Sequence, residues 1–129
     1  MKDITSLDVC AYTGLSIGTE YTDTVSLGTG LTITGQSIGV ASDSTGVAAD
    51  GILGIGPLIL TEDTLTNVPS TTIPTVTMNL YTQGVISEEV VSISFQPINQ
   101  MVNDGELTFG STDSTVCTCN ITYVWVTFP

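Results

Sequence analysis

The sequence predicts a mainly β fold, antiparallel strands with one or two short helices, in a single domain spanning residues 1–129. Three observations lead there. Apolar residues alternate with polar ones in Glu20 to Leu27 and again in Leu31 to Ser42, the period of a half-buried strand. Gly28-Thr29-Gly30 stands between those runs as a turn. Only one stretch carries helical spacing.

The elements follow in chain order. Leu7 to Tyr21 holds a glycine flanked by β-forming residues in "YTGL", which predicts a hairpin tip at Tyr12 to Leu15. "EYTDTVSL" and "LTITGQSIGVAS" then form an antiparallel pair across the glycine turn. Thr72 to Gly84 is the helix: Pro74 suits a first helical turn, Val76 and Leu80 repeat at i and i+4, and Gly84 stands where a left-handed cap belongs. Ser87, Glu88 and Glu89 make a short helical turn before a strand through Val90, Ser92 and Phe95. Gly105 to Asp113 and Asn120 to Phe128 are further strands separated by turn residues. No internal repeat or linker divides the chain.

Composition narrows the function. Thirteen carboxylates face one basic residue, Lys2, for a formal net charge of −12 and a sequence pI near 4.1. A chain so charged repels phosphate backbones and anionic lipid, which argues against nucleic-acid and membrane partners. No apolar run approaches the roughly 18–20 residues of a membrane span. Charged residues are only 11% of the chain, so serine and threonine hydroxyls must solvate much of the surface. Hydroxyls do not repel one another, and protonation relieves repulsion among the carboxylates, so the chain is expected to tolerate acidic surroundings.

With no histidine, Ser/His and Cys/His catalysis are excluded, and no metal site or cofactor is expected. The cysteines Cys10, Cys117 and Cys119 cannot all pair within one chain. Cys117 and Cys119, two apart, share a strand face without favouring a bond to each other, and a bridge from Cys10 to either stays open. Asn120-Ile121-Thr122 is a glycosylation acceptor triplet compatible with secretion. "MKDITSLDV" has no apolar leader segment, so a secreted product would come from a longer precursor.

General acid and base chemistry is left to carboxylates. Eight aspartates and five glutamates are scattered through expected turns, and spacing alone selects no pair among them. The run "DGILGIGPLIL", Asp50 to Leu60, is unusual in a different way, with three glycines among isoleucines and leucines. It is too short for a membrane span and lacks the lysine and helix start of a phosphate loop.

Taken together, "GTEYTDTVSLG", "LTITGQSIGVAS", "DGILGIGPLILT", "TIPTVTMNLYTQGVI", "VSISFQP", "GELTFGSTDS" and "ITYV" resemble, in order, segments of the pepsin-like aspartic endopeptidases, and within them the secreted enzymes of basidiomycete fungi. The resemblance covers roughly Gly18 to Val124. It implies a partial pepsin-like acid protease lobe, the later part of the amino-terminal lobe of a two-lobed enzyme that is secreted and takes peptide or protein substrates. That family uses one aspartate from each lobe, inside Asp-Thr/Ser-Gly loops, as a pair sharing a proton. Pepsin itself is the familiar example of such coupling, since two like charges so close cannot both ionise.

None of Asp3, Asp8, Asp23, Asp43, Asp50, Asp63, Asp104 or Asp113 is followed by Thr or Ser and then Gly. "DSTG" at Asp43 to Gly46 has one residue too many. The resemblance therefore implies no catalytic residue here, with one loop expected before residue 1 and the other after residue 129, and a chain inactive alone. It implies substrate-binding roles for Tyr12, Thr13 and Gly14, in the place of the family's flap hairpin, and for Ile52, in the place of an apolar residue beside the scissile bond. The usual flap reads Tyr-Gly-Ser/Thr-Gly, and this stretch is about one residue shorter. An incomplete lobe also implies an exposed core and self-association through it. A non-catalytic secreted binding or immunomodulatory protein on a protease-lobe scaffold is the alternative.

Overall fold

The computed structural model describes residues 2–11, 14–65, 68, 70–95, 105–115 and 120–125, with side chains from Ser16 onward. Three strands form one antiparallel sheet in the order β1 (Lys2–Ala11), β2 (Gly14–Gly28) and β3 (Leu31–Thr45). Gly28 pairs with Leu31, so Thr29 and Gly30 make the expected turn. Gly30 takes the positive φ of 80° that the third residue of such a turn demands and a side chain resists. At the other hairpin Ala11 pairs with Gly14. Gly14 and Leu15, expected in the tip, are therefore already strand residues, and Tyr12 and Thr13 lie outside the described set.

β3 changes face part-way along. Val25 pairs with Ile33 but Asp23 pairs with Gln36, so β3 carries one residue more than β2 across this step. Gly35, at φ 66°, absorbs the extra residue as a β-bulge. The consequence is that Ile33 and Gln36, of opposite parity, are both buried.

The helix α1 spans Val76–Thr82, shorter than the expected Thr72 to Gly84. Pro74 falls before it, not in its first turn, because Thr75 takes the N-cap and its hydroxyl accepts from the Met78 N–H at 3.4 Å. The other end follows expectation. Gly84, at φ 70°, donates to Tyr81 O at 2.9 Å while Val85 donates to Leu80 O at 2.9 Å, the paired bonds of a Schellman cap. A Cβ on Gly84 would meet no atom within 4 Å. Gly84→Ala is thus expected to cost only the left-handed strain, about 1 kcal/mol, seen as a lower urea midpoint with unchanged slope.

Ile33 from β3, Val76 and Leu80 from α1, and Ile86 form the buried cluster, with Leu27, Leu31, Val85 and Phe109 packed against it. Beyond the helix, β4 (Val91–Ser94) pairs antiparallel with β5 (Glu106–Phe109). Both are shorter than expected, and β5 stops where Gly110 turns to φ 83°. Phe109 joins this second sheet to the cluster.

Two expectations fail. Ser87 to Glu89 forms bends without a helical turn, the local bond running from the Val90 N–H to Glu88 O at 2.9 Å. Asn120 to Trp125 is not a strand, since no described strand offers these residues a ladder; the rest of that expected strand lies outside the described residues. Trp125 is 99% exposed.

Three side-chain amides lock α1 onto β3. Gln83 accepts from the Thr34 N–H at 3.0 Å and returns a bond from Nε2 to Thr34 O at 3.0 Å. Asn79 Nδ2 donates to Gln36 Oε1 at 2.9 Å, and Gln36 Nε2 donates to Ser37 O at 3.0 Å and Pro74 O at 3.3 Å. A buried amide so satisfied fixes the helix in position without an unsatisfied polar atom.

Candidate functional site

Asp50 to Gly56 leaves the sheet with no regular structure, and Gly51 to Gly56 make no backbone hydrogen bond among the described residues. A 3-10 turn at Leu58–Thr61 follows. The Thr61 hydroxyl donates to Leu58 O and accepts from the Ile73 N–H, both at 2.7 Å, fastening this stretch to the segment that leads into α1.

Ile52 and Leu53 border a recess of about 390 Å³. Gln36 to Gly39 of β3 and Thr61 with Ile73 to Val76 line it too. No ionisable side chain among the described residues lines it. An open, uncharged recess lined by Ile38, Ile52, Leu53, Ile73 and Val76 can accept an apolar side chain; among the described residues it holds no carboxylate to activate water. Ile52 is 73% exposed, presented to whatever enters rather than packed into the chain's own core.

Gly14, the described member of the expected flap, starts β2 six residues before Glu20, whose partner is Gly39 at the recess edge. At strand rise that is roughly 20 Å along the sheet. Tyr12 and Thr13 lie outside the described residues, so the pairing of flap and Ile52 rests on the resemblance. Asn120 is exposed at its expected surface position. Of the cysteines, Cys10 stands in β1 opposite Leu15, while Cys117 and Cys119 lie outside the described set.

Sequence reasoning missed one buried acid. Glu20 is only 5% exposed, and its Oε1 accepts from the Ser37 hydroxyl, while Oε2 has no partner among the described residues. The partner is a hydroxyl, not a second carboxylate, so this is no proton-sharing acid pair. Alternation in "GTEYTDTV" sets Glu20 and Thr22 at the parity opposite Tyr21, Asp23 and Val25 and gives no sign that the Glu20 side is the buried one. Among the described residues no cluster of three or more His, Cys, Asp or Glu side chains could hold a metal ion, and no helix is long and apolar enough to cross a membrane.

A family model described as eukaryotic aspartyl protease matches residues 3–128, nearly the whole chain. The chain belongs to the eukaryotic aspartyl protease family. As an aspartyl protease sequence it is 53% identical to polyporopepsin of Irpex lacteus over 112 residues, which is 85% of this chain and 33% of that protein. Its fold matches the crystal structure of the aspartic proteinase from Irpex lacteus with a TM-score of 0.86 at 48% identity. That match covers 92% of this chain and 36% of the solved one. The chain thus spans about a third of the length of these fungal aspartyl proteases, and it reproduces the shape of that third.

Proposed function

We propose that this chain supplies part of the amino-terminal lobe of a secreted, pepsin-like aspartic endopeptidase, and that alone it does not cleave peptides. The observation that carries the reading is chemical. The family's reaction needs two carboxylates close enough to share a proton, and no aspartate here sits in an Asp-Thr/Ser-Gly loop. The one described buried acid, Glu20, is occupied by Ser37. What the chain retains is a wall for substrate: the apolar recess beside Ile52, with Tyr12, Thr13 and Gly14 as the flap that closes over peptide.

Turnover of an unfolded protein substrate at acid pH, with and without pepstatin, tests this. The isolated chain is expected to release no pepstatin-sensitive fragments. Sustained pepstatin-sensitive cleavage by the purified chain, free of contaminating enzyme, would overturn the reading. Secretion is tested in the same preparation by intact mass: a glycan on Asn120 is expected, since the side chain is exposed and carries its acceptor triplet.

A further inference from the structure

Asp50-Gly51 is one of two Asp-Gly pairs in the chain, the other being Asp104-Gly105. A glycine carries nothing that shields its peptide nitrogen, so that nitrogen can approach the side-chain carboxyl of the aspartate before it. Whether it does so depends on how the fold restrains the pair. Asp50 and Gly51 are both exposed, and Gly51 belongs to no regular element. Among the described residues the Gly51 N–H has no hydrogen-bond acceptor, and the Asp50 carboxylate has no hydrogen bond or ion pair. A Cβ on Gly51 would meet no atom within 4 Å. We propose that Asp50 is a site of spontaneous backbone rearrangement, closing a succinimide ring on the Gly51 nitrogen and reopening to isoaspartate.

The Gly51 nitrogen bonds to Cγ of the protonated Asp50 carboxyl and gives up its proton, and the carboxyl hydroxyl leaves with a proton as water. Water then adds to either ring carbonyl and breaks its bond to nitrogen. Opening at Cγ restores aspartate. Opening at the main-chain carbonyl leaves the backbone running through the side chain, one methylene longer. Water is lost and regained, and nothing is oxidised or reduced.

Other aspartates show restraints that Asp50 lacks. Asp113 also precedes a small residue, Ser114, but its Oδ1 accepts from the Thr115 N–H at 2.8 Å and the Thr115 hydroxyl at 2.6 Å. Asp43 precedes Ser44 within β3, where it pairs with Ile17, and the Ser44 hydroxyl is bonded to that of Ser16 at 3.0 Å. Asp23 and Asp63 precede threonines, whose branched side chains crowd the attacking nitrogen. At the second Asp-Gly pair, a Cβ on Gly105 would stand 3.5 Å from both Ser94 O and the Phe95 ring, and β5 begins at the next residue. Asp104 itself lies outside the described residues. Position gives the product its importance: the added methylene enters the backbone just ahead of Ile52, which borders the apolar recess.

The test is prolonged incubation of the intact chain at mildly acid pH, followed by peptide mapping with electron-transfer fragmentation to locate isoaspartate. Isoaspartate, and a succinimide one water lighter, are expected at residue 50 at least about threefold ahead of residue 104. In concentrated guanidinium chloride, where the fold no longer separates the two pairs, the rates are expected to fall within about twofold of each other. Gly51→Val, checked for an unchanged urea midpoint, is expected to slow the reaction at residue 50 at least about tenfold. Asp50→Glu keeps the charge but needs a larger, slower-closing ring, and is expected to abolish the rearrangement there. Equal conversion at residues 50 and 104 in the folded chain overturns the proposal, as does conversion at residue 104 alone. So does a preference for residue 50 that persists in denaturant, or a Gly51→Val chain that converts as fast as the parent. None of these outcomes depends on whether the chain cleaves peptides, so this proposal and the protease reading fail separately.

Discussion

Leu80→Ala is expected to remove about 3–4 kcal/mol of stability, a large share of the roughly 5–15 kcal/mol that a domain of this size holds. Leu80 is fully buried at the centre of a cluster with only four buried members among the described residues. Three of its neighbours, Ile33, Val76 and Ile86, come from three separate stretches of chain, so no single movement can refill the space. Its carbonyl also accepts from the N–H groups of Val85 and Ile86, at 2.9 and 3.3 Å, and collapse toward the hole would pull on that cap. Urea denaturation followed by circular dichroism checks the value. Trp125→Ala, at a position 99% exposed, is expected to stay within about 0.5 kcal/mol of the parent. Similar losses from both would show that the described cluster is not the core.

The second large effect belongs to a residue with no side chain. Gly18→Ala is expected to cost about 3 kcal/mol or more. A Cβ there would stand 2.7 Å from the carbonyl carbon of Val40 and 2.8 Å from the Cα of Ala41. Both are backbone atoms of the neighbouring strand, so relief requires prying β2 from β3 rather than rotating a side chain. The crowding has a cause in the register: Ile17 pairs with Asp43 while Gly18 pairs with Ala41, and the extra residue, Ser42, bends β3 toward β2. Gly28→Ala is the matched comparison, with nothing within 4 Å of the added carbon. A thermal melt in which Gly18→Ala and Gly28→Ala shift equally would sink the argument.

Where the sequence could be read, local chemistry and tertiary structure agreed. Gly28-Thr29-Gly30 turns the chain because Gly30 alone can take the required φ, and the strands on either side alternate as they pair. The helix was legible from Val76, Leu80 and Gly84, though its start was not: Pro74 and Thr75 are both good helix openers, and only the hydroxyl bond of Thr75 separates them. The bulge at Gly35 left a trace in the parity of apolar residues, odd at Leu31 and Ile33 and even at Ile38 and Val40. Asn120 to Trp125 misled for the opposite reason. Its residues favour strands, but β structure needs a hydrogen-bonded partner, and although Ile121 and Tyr123 border a recess with β4, no described strand pairs with them. Of the candidate site, the resemblance supplied Tyr12, Thr13, Gly14 and Ile52 as expectations, and the residues alone supplied none, since an uncharged recess has no reactive group to betray it. Glu20 was overlooked because one acid among thirteen carries no mark of burial until its strand is registered against β3.

The amide of Gln83 has a meaning beyond holding the helix. Its oxygen and nitrogen bond the N–H and carbonyl of Thr34 as a neighbouring peptide group would, and they do so on the margin of β3 turned away from β2. One side chain thus impersonates a single residue of a fourth strand. Fibre growth by edge-to-edge stacking needs a continuous margin on which an incoming strand can zip. Here the zip meets a stop at Thr34, so the longest hairpin in the molecule cannot be extended copy upon copy past that point.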